Sequence, residues 1–137
     1  MKPGSSVIHI GSTYGLIGAF NGGAYSVAKA GLVGLTTTMA GQYGRQGIRT
    51  NMSAPGVIRT AMCDPFWEMD FFQRLNQEMP PLGRDCTVED VVNAAFFLAS
   101  KEGSFINGQS IAVDGGWSTA KFLCDEALYG ERVPAKE

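Results

Sequence analysis

The hydrophobic positions of this chain change period several times, and each change marks an element. Ser6-Val7-Ile8-His9-Ile10 is a short, almost continuously apolar, β-prone run closed by Gly11. Such a run suits a strand of a parallel sheet covered on both faces. Gly11 to Gly23 is glycine-rich and predicts a long loop. From Ala24 to about Tyr43, apolar residues recur at helical spacing: Val27, Ala28, Leu32, Leu35, Met39, Ala40 and Tyr43. Gly44 and Gly47 end this helix. Ile48-Arg49-Thr50-Asn51-Met52-Ser53 predicts a second strand, stopped by Pro55-Gly56.

Residues 57–65 predict a loop. Phe66 to about Glu78 fits one amphipathic helix with Trp67, Phe71, Phe72 and Leu75 on its apolar side, broken by Met79-Pro80-Pro81-Leu82-Gly83. Thr87-Val88-Glu89-Asp90 has the form of an N-cap with acids in the first turn. The helix behind it carries Val91, Val92, Ala95, Phe96 and Leu98. Ser110-Ile111-Ala112-Val113 predicts a third strand, closed by Asp114-Gly115-Gly116. The order β-α-β-α-α-β implies an α/β fold, a three-stranded parallel sheet with right-handed crossovers. Beyond Trp117 the pattern weakens, which predicts a docked first part and a frayed end.

At 137 residues the chain has room for one domain, and its 45% apolar content is that of a soluble globular protein. No run of about 18 apolar residues exists to span a membrane. The first residues lack a signal-peptide core, so a cytoplasmic location is expected. Cys63, Cys86 and Cys124 are odd in number and far apart, and form neither a disulfide framework nor a metal-binding motif. They are expected to be unpaired thiols in a reducing compartment.

Charge adds one feature. The net charge is −2, yet residues 1–63 contain no Asp or Glu and carry Lys2, Lys29, Arg45, Arg49 and Arg59. These cations are scattered, so a nucleic-acid partner is not expected. A cleft kept free of carboxylates where an anionic cofactor lies is one explanation, and chance is another.

The candidate chemistry lies in the same part. Tyr25 and Lys29 are four residues apart, hence on one face of a helix. A tyrosine, with an unperturbed pKa near ~10, is a poor base at neutral pH. A neighbouring ammonium stabilises the phenolate and lowers that value. Ser12, thirteen positions before Tyr25, follows the first strand. Open α/β sheets bind ligands at that end. Ser12 can bond a substrate oxygen there, while Tyr25 acts as general acid in reduction and general base in oxidation. His9 falls inside the first strand, where a core or sheet-face role is expected.

Four ordered segments, Ile8-His9-Ile10-Gly11-Ser12, Tyr25-Ser26-Val27-Ala28-Lys29-Ala30-Gly31, Ile48 to Gly56, and Asn107 to Gly116, resemble the short-chain dehydrogenase/reductase family. The likeness is collinear from near residue 4 to near residue 118. It implies a partial Rossmann-like, doubly wound domain over residues 1–118, with a tail over 119–137. It also implies Ser12, Tyr25 and Lys29 as the catalytic residues, and Tyr25, Lys29, Pro55, Gly56, Ile58 and Thr60 as contacts of an NAD or NADP cofactor. By the same likeness, Lys29 holds the ribose, Ile58 offers its backbone to the carboxamide and Thr60 its hydroxyl. Met62, Phe66, Trp67, Met69, Phe71 and Phe72 fall where the family places its substrate lid, which suggests a small apolar ketone or alcohol.

The family's N-terminal half carries Thr-Gly-x-x-x-Gly-x-Gly between a strand and a helix, whose glycines let the backbone approach the pyrophosphate. Here Gly11, Gly15 and Gly18 have the wrong spacing and occupy the serine loop. The active-site asparagine and the ribose-binding acid also have no counterpart. The expectation is a truncated, catalytic half of such an enzyme, beginning at its fifth strand. It is expected to be inactive alone, to bind no cofactor alone, and to need a partner such as a second copy. A non-catalytic oligomeric or ligand-binding role is the other function that fits.

Overall fold

A computed structural model describes residues 1–19, 22–77 and 80–120. Three strands form one parallel sheet in the order β1-β2-β3: β1 is Ser6–Ile10, β2 Arg49–Pro55 and β3 Ser110–Val113. The register sets Ile8 against Asn51, Ile10 against Ser53, and Pro55 against Val113. Helix α1, Gly23–Tyr43, connects β1 to β2. Helices α2 (Asp64–Trp67), α3 (Asp70–Gln77) and α4 (Val88–Ala99) lie between β2 and β3.

Central β2 is the core. Thr50 to Pro55 are all buried, with Met52 and Ala54 sealed from solvent. Helix α4 adds the fully buried Leu98, and α1 adds Thr36 and Ala40. Thr36 Oγ1 donates to Leu32 O at 2.7 Å and lies 2.8 Å from His9 Nδ1. Its one proton is spent on Leu32, so it accepts from the imidazole and fixes the Nδ1–H tautomer. His9 therefore ties β1 to α1, the sheet-face role expected of it.

Helix α1 ends at Tyr43, and a short 3-10 turn, Gly44–Gln46, leads to Gly47 at φ +75°. Only a residue without a Cβ takes that turn freely. At the start of α4, Thr87 and Asp90 form the expected cap in full: Asp90 N–H donates to Thr87 Oγ1, and Thr87 N–H donates to Asp90 Oδ2. Arg84 adds a two-pronged pair to the Asp90 carboxylate, at 2.7 and 2.9 Å.

Two expectations are corrected. The single helix over 66–78 is two shorter ones, α2 and α3, so three helices and not two separate β2 from β3. Asp64 and Pro65 start a turn before Phe66. The chain then breaks at Glu68–Met69, letting Trp67 turn inward under the Arg59 guanidinium at 5.5 Å and against Phe72 at 5.9 Å. The Gly11–Gly23 loop also contains a 3-10 turn, Thr13–Gly15. Arg49 has a structural role. Its guanidinium donates to the carbonyls of Leu98, Ala99, Ser100 and Ile106, closing the C-terminal end of α4. The Met79 end of the expected break and the tail beyond Ala120 lie outside the described residues.

Two surfaces remain uncovered. The outer edge of β1 has no neighbouring strand among the described residues. On α4, Val88, Val92 and Phe96 make an exposed apolar stripe at i, i+4, i+8 spacing, with Phe96 74% exposed. No helix among the described residues is long and apolar enough to cross a membrane.

Candidate active site

The site begins where β1 ends. Gly11 N–H donates to Ser53 O at 2.7 Å, extending the ladder one residue past the strand. A Cβ at Gly11 would fall 2.5 Å from Met52 Sδ, so the backbone here rests directly on the buried thioether. Ser12 then takes an extended conformation and caps the Thr13–Gly15 turn, its Oγ accepting from Tyr14 N–H at 3.2 Å. Thr13 is buried and donates to Pro55 O at 2.7 Å. That bond pins the serine turn to the end of β2.

Helix α1 meets this turn at Gly15. A Cβ there would lie 2.7 Å from the Lys29 carbonyl carbon, so the turn and the helix touch backbone to backbone. The contact brings Ser12 and Lys29 together from two elements. Lys29 Nζ donates to Ile10 O at 3.0 Å and lies 5.7 Å from the centre of the Tyr25 ring, one helical turn earlier. Tyr25 is 42% exposed and Ser12 is buried. A buried hydroxyl, an open phenol and an ammonium thus converge at the carboxyl end of the sheet.

Pro55 and Gly56 form the adjoining wall. Gly56 N–H donates to Val113 O at 2.9 Å, and a Cβ on Gly56 would sit 3.2 Å from Asp114 Cα. Ile58 pairs with Cys86 through an isolated parallel bridge. Thr60 is exposed, and its carbonyl accepts from Cys63 and Asp64 N–H. The structure ties Lys29 to Ile10 and to the Tyr25 ring, and the serine turn to Pro55, and it carries Ile58 and Thr60 on the loop that follows Gly56.

Two residues absent from the sequence expectation border the trio. Tyr14 is half-buried, and its ring meets that of Trp117 edge to face at 5.3 Å. Burial, and next the Tyr25 phenol nearby, push the Tyr14 pKa upward. Trp117 is set by a turn that the buried Asp114 closes, accepting from Gly116 N–H and Ser118 N–H. Nothing in the local sequence ties Tyr14 to Trp117, which are 103 positions apart.

A cavity of about 470 Å³ opens behind the Gly56 turn, lined by Val57, Arg84, Cys86, Asp114 and Trp117 among others. It contains none of the trio. Burial pushes the Cys86 thiol up to about 11, with Asp90 and Asp114 adding to the effect, so this thiol stays protonated at neutral pH and is a poor nucleophile. No cluster of metal-binding side chains occurs among the described residues.

Comparison with known proteins gives the family and the fold. A family model described as enoyl-(acyl carrier protein) reductase matches residues 1–118. The chain belongs to the short-chain dehydrogenase/reductase family. It is 36% identical to an uncharacterized short-chain type dehydrogenase/reductase of Sinorhizobium fredii, over 100% of this chain and 25% of that protein. It is 39% identical to trans-4-hydroxycyclohexanecarboxylate dehydrogenase of Sinomonas cyclohexanicum, over 90% of this chain and 45% of the relative. Among solved structures, gluconate 5-dehydrogenase from Burkholderia cenocepacia, in complex with NADP and tartrate, superposes with a TM-score of 0.81 at 31% identity. That match covers 86% of this chain and 47% of the enzyme. This short-chain dehydrogenase/reductase chain thus spans about half the length, or less, of the relatives it matches.

Proposed function

We propose that these residues are the catalytic half of an NAD(P)-dependent oxidoreductase acting on a ketone or secondary alcohol. The observation that carries this reading is the convergence of Ser12, Tyr25 and Lys29 through the Gly15–Lys29 backbone contact. Ser12 Oγ and the Tyr25 hydroxyl hold the substrate oxygen. In reduction Tyr25 donates its proton to that oxygen; in oxidation it removes the proton from the alcohol. Lys29, with hydrogen-bonding capacity beyond its one bond to Ile10, stabilises the phenolate and holds a ribose hydroxyl. A bound nicotinamide supplies or accepts the hydride.

The residues fit one end of that cofactor. Residues 1–63 hold no carboxylate to repel it, and Gly56 leaves the turn beside the trio without a side chain. The pyrophosphate end is different. The connection from β1 to α1 is occupied by the serine turn, and no Thr-Gly-x-x-x-Gly-x-Gly segment occurs in these 137 residues. We therefore assign weak dinucleotide affinity, and negligible turnover, to this chain by itself. Calorimetry with NADH and NADPH tests the assignment, and micromolar binding of either by the 137-residue chain would overturn it.

The α4 stripe and the open β1 edge favour association, and a second copy is the partner proposed for the stripe. Free Cys63 and Cys86 suit a reducing cytoplasm. The substrate's carbon frame is assigned to the exposed apolar side chains of Met62, Phe66, Met69 and Phe71.

A further inference from the structure

We propose that the outer edge of β1 is a self-pairing surface: β1 of a second copy lies antiparallel along it, centred on Ile8, and the pairing frees the Lys29 ammonium from Ile10 O. The pairing stands apart from the hydride-transfer reading, and only the use of a freed Lys29 rests on that reading.

The ladder shows which groups face outward. Arg49 N–H donates to Ser5 O, and Gly11 N–H donates to Ser53 O, so the odd-numbered residues of β1 bond β2. Successive residues of a strand direct their backbone groups to opposite sides. Ser6, Ile8 and Ile10 therefore point their N–H and C=O groups away from β2. Among the described residues no strand meets them, and only Ile10 O has a partner, Lys29 Nζ at 3.0 Å. The ammonium thus caps an edge carbonyl that a neighbouring strand would take.

Nothing on this edge deters a strand. Ser6 to Ile10 contain no Lys, Arg, Asp, Glu or Pro, and their register with β2 is unbroken. Charge, proline and bulges are the usual guards of an open edge. Both faces of β1 are engaged, Ser6 Oγ donating to Leu98 O of α4 and His9 meeting Thr36 of α1, so the edge is the side left open. The edge also fits itself. In an antiparallel pair centred on Ile8, Ile8 faces Ile8, and Ser6 faces Ile10 of the other copy. All of these are outward residues, so each exchanges both backbone bonds and no outward group of either copy stays unpaired. Two-fold symmetry closes such a joint at a dimer. Ile10 O then accepts from the Ser6 N–H of the second copy, in competition with Lys29.

The test follows the 137-residue chain through a dilution series by sedimentation and amide exchange. Dimerisation should slow exchange at Ser6, Ile8 and Ile10 by roughly tenfold or more, with Val7 and His9 changing less than about twofold. Mixed labelled and unlabelled chains should show a contact between the α-protons of Val7 in one copy and His9 in the other, the signature of this register. The Lys29 ammonium resonance, assigned by its loss in Lys29→Met, should shift on dimerisation. These wild-type readings need no variant to fold and no hydride transfer, so failure of the catalytic reading leaves them standing. Ile8→Pro removes an N–H that β2 does not use, and Ile10→Lys puts a charge on the edge. Each should weaken the dimer by roughly tenfold or more. A chain that stays monomeric, or that dimerises with the edge amides still exchanging freely, would overturn the proposal. So would pairing that leaves the Lys29 resonance unmoved.

Discussion

Lys29 Nζ donates to the carbonyl oxygen of Ile10 at 3.0 Å, joining the first turns of α1 to the last residue of β1. The bond is solvent-exposed, so its net worth to folding is about 1 kcal/mol or less. On the proposed function its worth to chemistry is larger, because the ammonium that makes it also lies 5.7 Å from the centre of the Tyr25 ring. Lys29→Met should therefore lower the thermal midpoint by only a few degrees. Any ketone reduction measurable with NAD(P)H should fall by about 100-fold or more. A comparable loss of stability and activity would show that the lysine is structural.

Gly15 carries a steric prediction. A methyl group there would press on the Lys29 backbone, which is part of a helix and moves little. Gly15→Ala should cost about 2 kcal/mol in urea unfolding, within the range for overpacking. The same change should lengthen the distance between Ser12 and Lys29, read as altered chemical shifts at both positions.

Arg49 was legible in the sequence only as one of five scattered cations. Its role was hidden because its partners are backbone carbonyls some 50 positions away, and a carbonyl has no residue-type signature. Arg49→Met should cost about 2 kcal/mol, by leaving three acceptors at the end of α4, and Ile106 O in the loop beyond it, without their common donor. Arg49→Lys should recover less than half of that, since an ammonium cannot reproduce the planar fork. Faster amide exchange in the last turn of α4 would locate the damage.

Asp90 gives a pH dependence. The Arg84 guanidinium holds its carboxyl well below the usual carboxylate range, with the Thr87 backbone and hydroxyl adding to the effect. The folded value lies below the unfolded one, so the stabilisation is complete above about pH 4 and is lost as pH falls through the folded value. The pair is about one-third exposed, which reduces its value to about 1–2 kcal/mol. Asp90→Asn should be less stable than the wild-type chain by that amount at pH 7. The gap should narrow steadily between pH 4 and pH 2 in urea melts.

The exposed stripe on α4 tests the proposed association. Phe96→Glu places a charge at the most exposed residue of the Val88, Val92 and Phe96 stripe without touching the core. Sedimentation should show the wild-type chain as dimer or larger and the variant shifted toward monomer. A monomeric wild-type chain would remove the second copy from the reading.

Much of the fold was open to the sequence because periodicity reports local geometry well. The three strands and α1 fall within two residues of their expected bounds. The division of α2 from α3 was not legible: Phe66, Trp67, Phe71 and Phe72 keep helical spacing across it, and the break follows from Trp67 packing inward. Ser12, Tyr25 and Lys29 stood out in the sequence only because they fall in ordered segments that resemble a known family. Tyr14 and Trp117 were not, since their meeting depends on β3 delivering a turn to the serine loop.

The clamp at Gly15 also bears on how such a site can change. Ser12 and Tyr25 are separated by a fixed number of residues, but that number does not position them. The serine turn is set by Thr13 on Pro55 and by Gly15 on Lys29, both upstream of Leu16. Residues 16–19 therefore form a tether, not a ruler. Their length and composition can drift, or accept an inserted segment, while Ser12 and Lys29 stay in place.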